Sequence, residues 1–121
     1  TRAIHPASKI SESVEIGEGT VVMAGATINA DAKIGRHCII NTNSSVDHEC
    51  VIGDYVHISP NVALCGNVQV GEGTHIGVGA SVIPGIKIGK WCTIGAGSVV
   101  INDIPDNTNA VGNPCKRILN N

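Results

Sequence analysis

Histidines are the side chains in this sequence best suited to acid–base chemistry, and one of the five has carboxylates on both sides. His48 lies in the segment Asp47-His48-Glu49. An imidazole titrates near neutral pH and can act as a general base, and an adjacent carboxylate can fix its tautomer and raise its basicity. A histidine among polar neighbours is more often an ordinary solvated side chain, so this segment alone makes His48 only a candidate base.

The five cysteines offer a second kind of nucleophile or metal ligand, but their spacing favours neither use. Their number is odd, no C-x-x-C occurs, and no histidine stands at a spacing that would activate a thiol. We expect free, mostly buried thiols in a reducing cytoplasm. The cysteines are Cys38, Cys50, Cys65, Cys92 and Cys115.

The composition limits the class of protein. The chain has 121 residues, a formal net charge of −2, 15% charged residues and 2% aromatic residues. This length fits one domain, and the charge provides no basic field for nucleic acid. No apolar run approaches the roughly 18–20 residues of a membrane span and no signal peptide opens the chain, so we expect no membrane insertion. With so few aromatic rings, branched aliphatic side chains must fill the core.

A repeat of six residues organises the sequence. Every sixth position from 4 to 100 holds Ile, Val or Leu, 17 positions without a break, although only 33 of the 121 residues are of these types. The next residue is often Gly, and the residue four positions after the aliphatic one is usually small or β-branched. The aliphatic positions are Ile4, Ile10, Ile16, Val22, Ile28, Ile34, Ile40, Val46, Ile52, Ile58, Leu64, Val70, Ile76, Val82, Ile88, Ile94 and Val100.

A period of six fits neither an α-helix nor a hairpin sheet. It predicts a strand followed by a corner, with one aliphatic side chain pointing inward per unit. Resemblance to known hexapeptide-repeat proteins implies that three units close a triangular coil and that the coils form a left-handed parallel β-helix. We therefore predict an all-β domain over residues 1–104, with about 5–6 triangular coils stacked about 4.8 Å apart. Residues 105–121 depart from the pattern, and we expect a short C-terminal extension that leaves the prism and folds back.

Since three hexapeptides make one coil, each residue lies directly over the residue three hexapeptides earlier. The repeat thus sorts the sequence into columns, and we refer to this pairing as the column rule. One column places Gly66 next to His48, and we expect open space for a thioester beside that imidazole. Another places His57 and His75 on neighbouring coils, where ordinary polar residues are the simpler interpretation.

Two further columns contain glycines on successive coils. Their accessible backbone amides predict a smooth groove suited to a long, thin pantetheine arm. The asparagines in these columns equally suit a structural amide ladder between coils. The columns are Asn41, Ser59, Gly77 and Gly95, and beside them Asn43, Asn61, Gly79 and Gly97.

A block in the middle of the chain is more selective than the repeat. It reads NTNSSVDHEC over residues 41–50 and IGDYVHISP over residues 52–60, and GNPCK follows at residues 112–116. With these motifs the chain resembles bacterial sugar acetyltransferases of the sialic acid O-acetyltransferase and bacillosamine or perosamine N-acetyltransferase type. The resemblance implies direct transfer of an acetyl group from acetyl-CoA to an amino or hydroxyl group of a nucleotide-linked sugar, with no metal and no covalent acyl-enzyme.

The same resemblance implies roles for individual residues. His48 would be the general base that takes a proton from the acceptor, Glu49 would orient it, and Asn41 would line the acceptor site. His57 would bind the acetyl or pantetheine end of coenzyme A. Further coenzyme A contacts would come from the backbone of Gly66, Val78 and Ala96 and, near the nucleotide phosphates, from Lys116.

Family members of this type are typically homotrimers with active sites between adjacent prisms. His48 and His57 are nine residues apart, half a coil, so they face different directions on one prism and can converge across a subunit seam. These family members also carry a small N-terminal α/β domain with a glycine-rich loop that holds the nucleotide sugar. Nothing in this sequence corresponds to that domain, so the identity of the acceptor and the choice between N- and O-acetylation stay open.

Two other functions are open from the sequence. A non-catalytic assembly module would use the prism only as a scaffold. A metal enzyme of the γ-carbonic anhydrase type shares the fold but needs three histidines around zinc, two of them five residues apart. The spacing from His48 to His57 is nine positions here, and that from His57 to His75 is twice as long, so we expect no metal.

Overall fold

The computed structural model describes residues 1–119, and these contain strands and turns but no helix. None of the described residues therefore belongs to a helix with the length and apolar character of a membrane span. Strands that stand three hexapeptides apart in the sequence pair in parallel, as in Ala3↔Val21 and His57↔His75. This pairing confirms the six-residue repeat, the coil length and the columns. The chain is a left-handed parallel β-helix of about six turns.

Three sheets form the three faces of the prism. Face A contains β1 (Ala3–Ile4), β4 (Val21–Val22), β7 (Ile39–Ile40), β10 (His57–Ile58), β13 (His75–Ile76), β16 (Thr93–Ile94), β18 (Asn109–Val111) and β19 (Lys116–Arg117). Face B contains β2 (Lys9–Ile10), β5 (Thr27–Ile28), β8 (Ser45–Val46), β11 (Ala63–Leu64), β14 (Ser81–Val82) and β17 (Val99–Val100). Face C contains β3 (Glu15–Ile16), β6 (Lys33–Ile34), β9 (Val51–Ile52), β12 (Gln69–Val70) and β15 (Lys87–Ile88).

From β4 to β17 the second residue of each strand is buried in the prism and builds the core. In the middle coils these residues are fully buried, with an exposed fraction of 0% for Ile40, Ile58 and Ile76. Small and β-branched corner residues, including cysteines, fill the space between them. All five cysteine thiols are free and four are buried, which confirms the prediction of unpaired, mostly buried thiols.

The four-residue corners stack into three edges. Edge AB, between faces A and B, contains residues 41–44, 59–62, 77–80 and 95–98; edge BC contains 29–32, 47–50, 65–68 and 83–86; edge CA contains 35–38, 53–56, 71–74 and 89–92. The third residue of these corners has a positive φ, for example 55° at Asn43 and 60° at Asn61. Asparagine and glycine adopt this left-handed conformation most easily, which explains why they recur at that position.

Glycine follows the aliphatic residue where successive coils approach closely. A Cβ built on Gly71 would lie 2.6 Å from the carbonyl carbon of Gly89 and 2.6 Å from the amide nitrogen of Lys90. These are backbone atoms of the next coil and cannot rotate aside. The position therefore requires a residue without a side chain.

Gly71→Ala is expected to destabilise the prism by about 1–3 kcal/mol, because the added methyl group pushes two coils apart. Urea unfolding would show a lower midpoint with an unchanged slope. Gly66→Ala is the matched control, since the atoms nearest to a Cβ there belong to the flexible side chain of His48. Equal destabilisation by the two substitutions would contradict this explanation.

The β-helix runs past residue 104, where the sequence pattern placed the start of the tail. Ile104 bridges to Ile88 on face C, and β18 adds to face A through Thr93↔Asn109. Both pairs are closer in sequence than the pairs of the regular coils, because the corner after β17 is shorter and the aliphatic period is lost there. β19 then pairs antiparallel with β18, so the chain reverses its direction between these two strands.

Candidate active site

His48 occupies edge BC with its side chain 52% exposed. Its Nδ1 lies 3.2 Å from Oδ1 of Asp47. The same carboxylate oxygen accepts a hydrogen bond from the backbone N–H of His48 at 2.7 Å and one from Nδ2 of Asn29 at 3.0 Å. A carboxylate beside Nδ1 keeps the proton on that nitrogen and leaves Nε2 as the proton acceptor. The ring therefore presents Nε2 as a free hydrogen-bond acceptor on this edge.

The carboxylate that holds His48 is itself held ionised. The side-chain amide of Asn29, one coil earlier, is the main cause that places the pKa of Asp47 below its ordinary value, and the backbone N–H of His48 adds to it. The sequence did not single out Asn29 as a site residue. It stands one full coil before Asp47, in the same column, so the repeat places the two residues side by side without showing that they form a hydrogen bond.

Glu49, which the family resemblance implies as the residue that orients His48, lies at the left-handed third position of the same corner, with φ 58°. Its side chain is exposed. Within residues 1–119 the hydrogen-bond and ion-pair partner of the His48 ring is Asp47 rather than Glu49. In one prism the orienting contact thus comes from Asp47, and a role for Glu49 stays a prediction about the assembled protein.

Gly66 lies one coil after His48, and the imidazole fills the space next to its Cα. A Cβ added to Gly66 would lie 2.3 Å from Cε1 and 2.6 Å from Nε2 of His48. The column rule correctly placed these two residues together. The ring lies directly beside the glycine, and the binding of a thioester next to the ring stays a prediction.

His57 and Asn41 meet where face A joins edge AB. Nδ2 of Asn41 lies 3.2 Å from Nε2 of His57, and Oδ1 of Asn41 accepts from the backbone N–H of Thr42 at 2.7 Å, which fixes the orientation of the amide. Nε2 of His57 therefore accepts a hydrogen bond, and its proton is on Nδ1. Burial, followed by the nearby imidazole of His75, holds the pKa of His57 below its ordinary value, which favours the neutral ring.

Edge AB presents an open strip beside this pair. Val78 and Ala96 are exposed one coil apart, and the N–H of Gly97 donates to the carbonyl of Val78 at 2.8 Å. Among the described residues, no atom lies within 4 Å of a Cβ built on Gly79 or Gly97. The strip is free of side chains at these two glycines. The backbone N–H groups of the glycines in both columns donate to neighbouring coils, so they are not the accessible amides that the columns predicted.

The remaining predicted contact, Lys116, is exposed on β19 at the C-terminal end of face A. It pairs across the antiparallel ladder with Val111. The fold-back of the tail thus places a positive charge at the end of the same face that carries His57 nearer its middle.

The predicted residues form two groups on one prism. His48, Glu49 and Gly66 belong to edge BC. The second group lies on edge AB and face A, and comprises Asn41, His57, Val78, Ala96 and Lys116. Face B separates the groups, so His48 and His57 face different directions on one chain, as their spacing predicted.

The two imidazoles of face A already have hydrogen-bond partners. The ring centroids of His57 and His75 are 4.6 Å apart, and their Nε2 atoms contact Asn41 and Ser59 respectively. Among residues 1–119, no group of three or more histidine, cysteine, aspartate or glutamate side chains is placed to hold a metal ion. The chemistry that these side chains offer is proton transfer and hydrogen bonding.

A prism built from stacked six-residue units is the fold of the hexapeptide-repeat β-helix proteins. The family described as bacterial transferase hexapeptide (six repeats) matches residues 13–48, 31–66 and 67–102. The chain belongs to this family. No curated protein sequence matches it.

Solved structures of an acetyltransferase domain, of a perosamine N-acetyltransferase and of a third protein share the fold over nearly the whole chain. The acetyltransferase domain of PglB from Neisseria gonorrhoeae is 42% identical, with a TM-score of 0.97, over 98% of this chain and 58% of that one. A mutant perosamine N-acetyltransferase from Caulobacter crescentus, in complex with CoA and GDP-perosamine, is 50% identical, with a TM-score of 0.98, over 98% of this chain and 57% of that one. WeeI from Acinetobacter baumannii is 34% identical, with a TM-score of 0.90, over 93% and 56%.

These comparisons confirm the resemblance to sugar acetyltransferases with a β-helix domain. The chain spans less than two thirds of the length of each of these proteins, with 58%, 57% and 56% covered.

Proposed function

We propose that the chain is the transfer domain of a sugar acetyltransferase and moves an acetyl group from acetyl-CoA to an amino or hydroxyl group of a nucleotide-linked sugar. The observation that carries this proposal is the His48 ring, whose Nδ1 is held by Asp47 and whose Nε2 is left to take a proton. The scaffold around it is 50% identical to an N-acetyltransferase with CoA and GDP-perosamine bound.

Direct transfer requires a base and a hydrogen-bond donor. Nε2 of His48 takes the proton of the attacking amine or hydroxyl while a C–N or C–O bond forms at the thioester carbonyl carbon. The C–S bond then breaks, CoA leaves as a thiolate, and His48 passes the proton to the sulfur. Nδ1–H of His57 donates a hydrogen bond at the acetyl or pantetheine end, where negative charge develops. No metal and no covalent acyl-enzyme takes part.

The coenzyme A arm is assigned to edge AB. The exposed strip at Val78 and Ala96 suits backbone contacts to a thin chain, and Gly66 supplies a further backbone contact near the base. Lys116 offers a positive charge to the nucleotide phosphates. Asn41 lines the acceptor site and also holds His57 at 3.2 Å. Free thiols throughout the chain agree with a reducing, cytoplasmic setting.

A homotrimer with face B toward the threefold axis would complete the site. The outward residues of face C include charged side chains, at Glu15, Lys33 and Lys87. Those of face B are small and uncharged from the second coil onward, and small side chains allow two prisms to approach closely: Thr27, Ser45, Ala63, Ser81 and Val99.

Edges AB and BC flank face B, so a threefold rotation brings edge BC of one subunit against edge AB of the next. His48 and His57 then belong to one site across the seam. The half-coil spacing of the two histidines separates them on one prism, and the same spacing lets them meet where two prisms of the trimer touch.

Gly66→Ala is expected to displace the His48 ring and to lower kcat/KM for transfer about 10- to 100-fold, because a small misplacement of a reacting group is costly. Thiol release from acetyl-CoA measures the loss. In a His48→Asn background the same glycine substitution should have no further effect. A second loss of similar size in that background would show that Gly66 acts independently of the ring.

The function is tested by thiol release from acetyl-CoA with a panel of amino-sugar nucleotides as acceptors. We expect acceptor-dependent release with at least one of them, and mass spectrometry of the product distinguishes N- from O-acetylation. If no acceptor is acetylated and coenzyme A does not bind, the proposal is wrong and a non-catalytic assembly module becomes the better description.

A further inference from the structure

One hydrogen-bonding pattern occurs twice on face A, on neighbouring coils. Asn41 on edge AB contacts Nε2 of His57 at 3.2 Å. One coil later, Oγ of Ser59 contacts Nε2 of His75 at 3.0 Å. In each case a corner residue holds the outward imidazole of the next coil on face A. The family resemblance gives a role to the first pair and none to the second.

The second pair is anchored by a buried group. Ser59 is 3% exposed, and a buried hydroxyl requires a hydrogen-bond partner. That partner is His75, whose side chain would otherwise extend freely from an exposed position on β13. The serine thus fixes the His75 ring against His57, with centroids 4.6 Å apart and the ring planes tilted by 42°.

We propose that Ser59 and His75 are positioning residues for the transfer reaction, with the serine fixing a second imidazole that keeps the His57 ring neutral and its Nδ1–H aimed at the thioester end. This inference rests on the proposed acetyl transfer. The neighbouring imidazole of His75 disfavours a charge on His57, since like charges repel in a partly buried site. A neutral His57 keeps Nε2 available to Asn41, because protonation of that nitrogen would break their hydrogen bond.

His75 is the titratable group that faces His57. On its other side, β7 contributes Ile39 and Asn41, and residues 59–62 of edge AB contain no titratable side chain. On edge CA, Asp54 is paired with Arg36 at 3.5 Å. Burial of His57 lowers its pKa in the same direction as repulsion from His75, so removing His75 takes away one of the two causes.

The pair is tested first without substrate, by NMR titration of the histidine rings. In His75→Ala the pKa of His57 is expected to rise by about half a unit or more, because the repulsion and part of the burial are lost. Ser59→Ala should give a smaller rise, and His75→Phe, which keeps a ring in contact, an intermediate one. His37→Asn is the matched control on edge CA and should leave His57 unchanged. An unchanged His57 titration in His75→Ala would overturn the proposal.

The second measurement is the pH profile of kcat/KM for acetyl-CoA. Neutral His57 is the active form, so activity falls as the pH drops through its pKa. A raised pKa therefore moves this acid limb to higher pH in His75→Ala. A rise of about half a unit lowers kcat/KM at most about threefold, and only on the acid limb. The unfolding midpoint should fall slightly, because the buried hydroxyl of Ser59 loses its partner. A profile identical to that of the wild type would show that His75 is a surface residue only. If the wild type itself transfers no acetyl group, the proposed function fails, whereas the NMR titration still decides whether the pair exists.

Discussion

Replacing His48 by asparagine is expected to lower the rate of acetyl transfer by about 10²- to 10⁴-fold, the usual contribution of a general base. Asparagine keeps a polar side chain of similar size but cannot accept the proton of the attacking group. Coenzyme A binding and the oligomeric state should stay as in the wild type, because the ring is half exposed on edge BC and packs beside Gly66 and Asp47. Steady-state thiol release at saturating acetyl-CoA measures the effect.

The matched control is His37→Asn. His37 is an exposed histidine on edge CA that stacks on Tyr55 with centroids 5.5 Å apart, and it lies on neither half of the candidate site. This variant should keep wild-type activity. Activity of His48→Asn within a fewfold of the wild type would mean that another group is the base.

Mixing two inactive variants is expected to restore activity. If each site takes His48 from one subunit and His57 from the next, a chain with His48→Asn still supplies His57, and a chain with His57→Asn still supplies His48. Trimers that contain both kinds of chain should have about a third of their sites intact. Coexpression of two differently tagged chains, followed by purification over both tags, gives these mixed trimers for the assay.

The same experiment distinguishes a seam site from a site within one prism. In a one-prism site every subunit of the mixture lacks one of the two imidazoles, so the mixed trimers would be as inactive as the separate variants. The baseline is the activity of each variant alone, expressed as two differently tagged copies and purified in the same way. Recovery well above that baseline requires two neighbouring chains in one site.

The six-residue period predicts the strands, the corners and the inward side chains, because each strand of the regular coils is only two residues long. The three-sided, left-handed closure was predicted from the family resemblance. A two-residue strand has no room for a register shift, so one aliphatic residue per hexapeptide determines the inward side chain, and a separation of one coil determines its neighbour. The rule fails after Val100. There the pairing Thr93↔Asn109 falls short of a full coil, and extrapolated columns would have placed Val111 over Thr93. In the sequence only a break in the aliphatic period signals this change, and the break does not reveal by how many residues the corner is shortened.

The site was predictable in part for the same reason. Columns placed His48 beside Gly66, and the contact is present. They also place Asn29 over Asp47, but a column by itself does not reveal which of its members form a hydrogen bond. The hydrogen bonds that hold His57 and His75 run diagonally, from a corner to the neighbouring coil's strand, and the column rule does not compare such pairs.

The folded-back tail has a consequence for how copies of this chain can associate. Each end of a parallel β-helix exposes unpaired N–H and C=O groups on three faces, a template on which another chain can add. At the C-terminal end, the carbonyls of Ile104, Ala110 and Gly112 accept hydrogen bonds from the last full coil at 2.8, 2.8 and 3.0 Å, one on each face. β19 then runs antiparallel to β18, a direction that no parallel coil can continue. The tail therefore covers the open edge of β18, so that a further coil cannot add in parallel to this edge of face A.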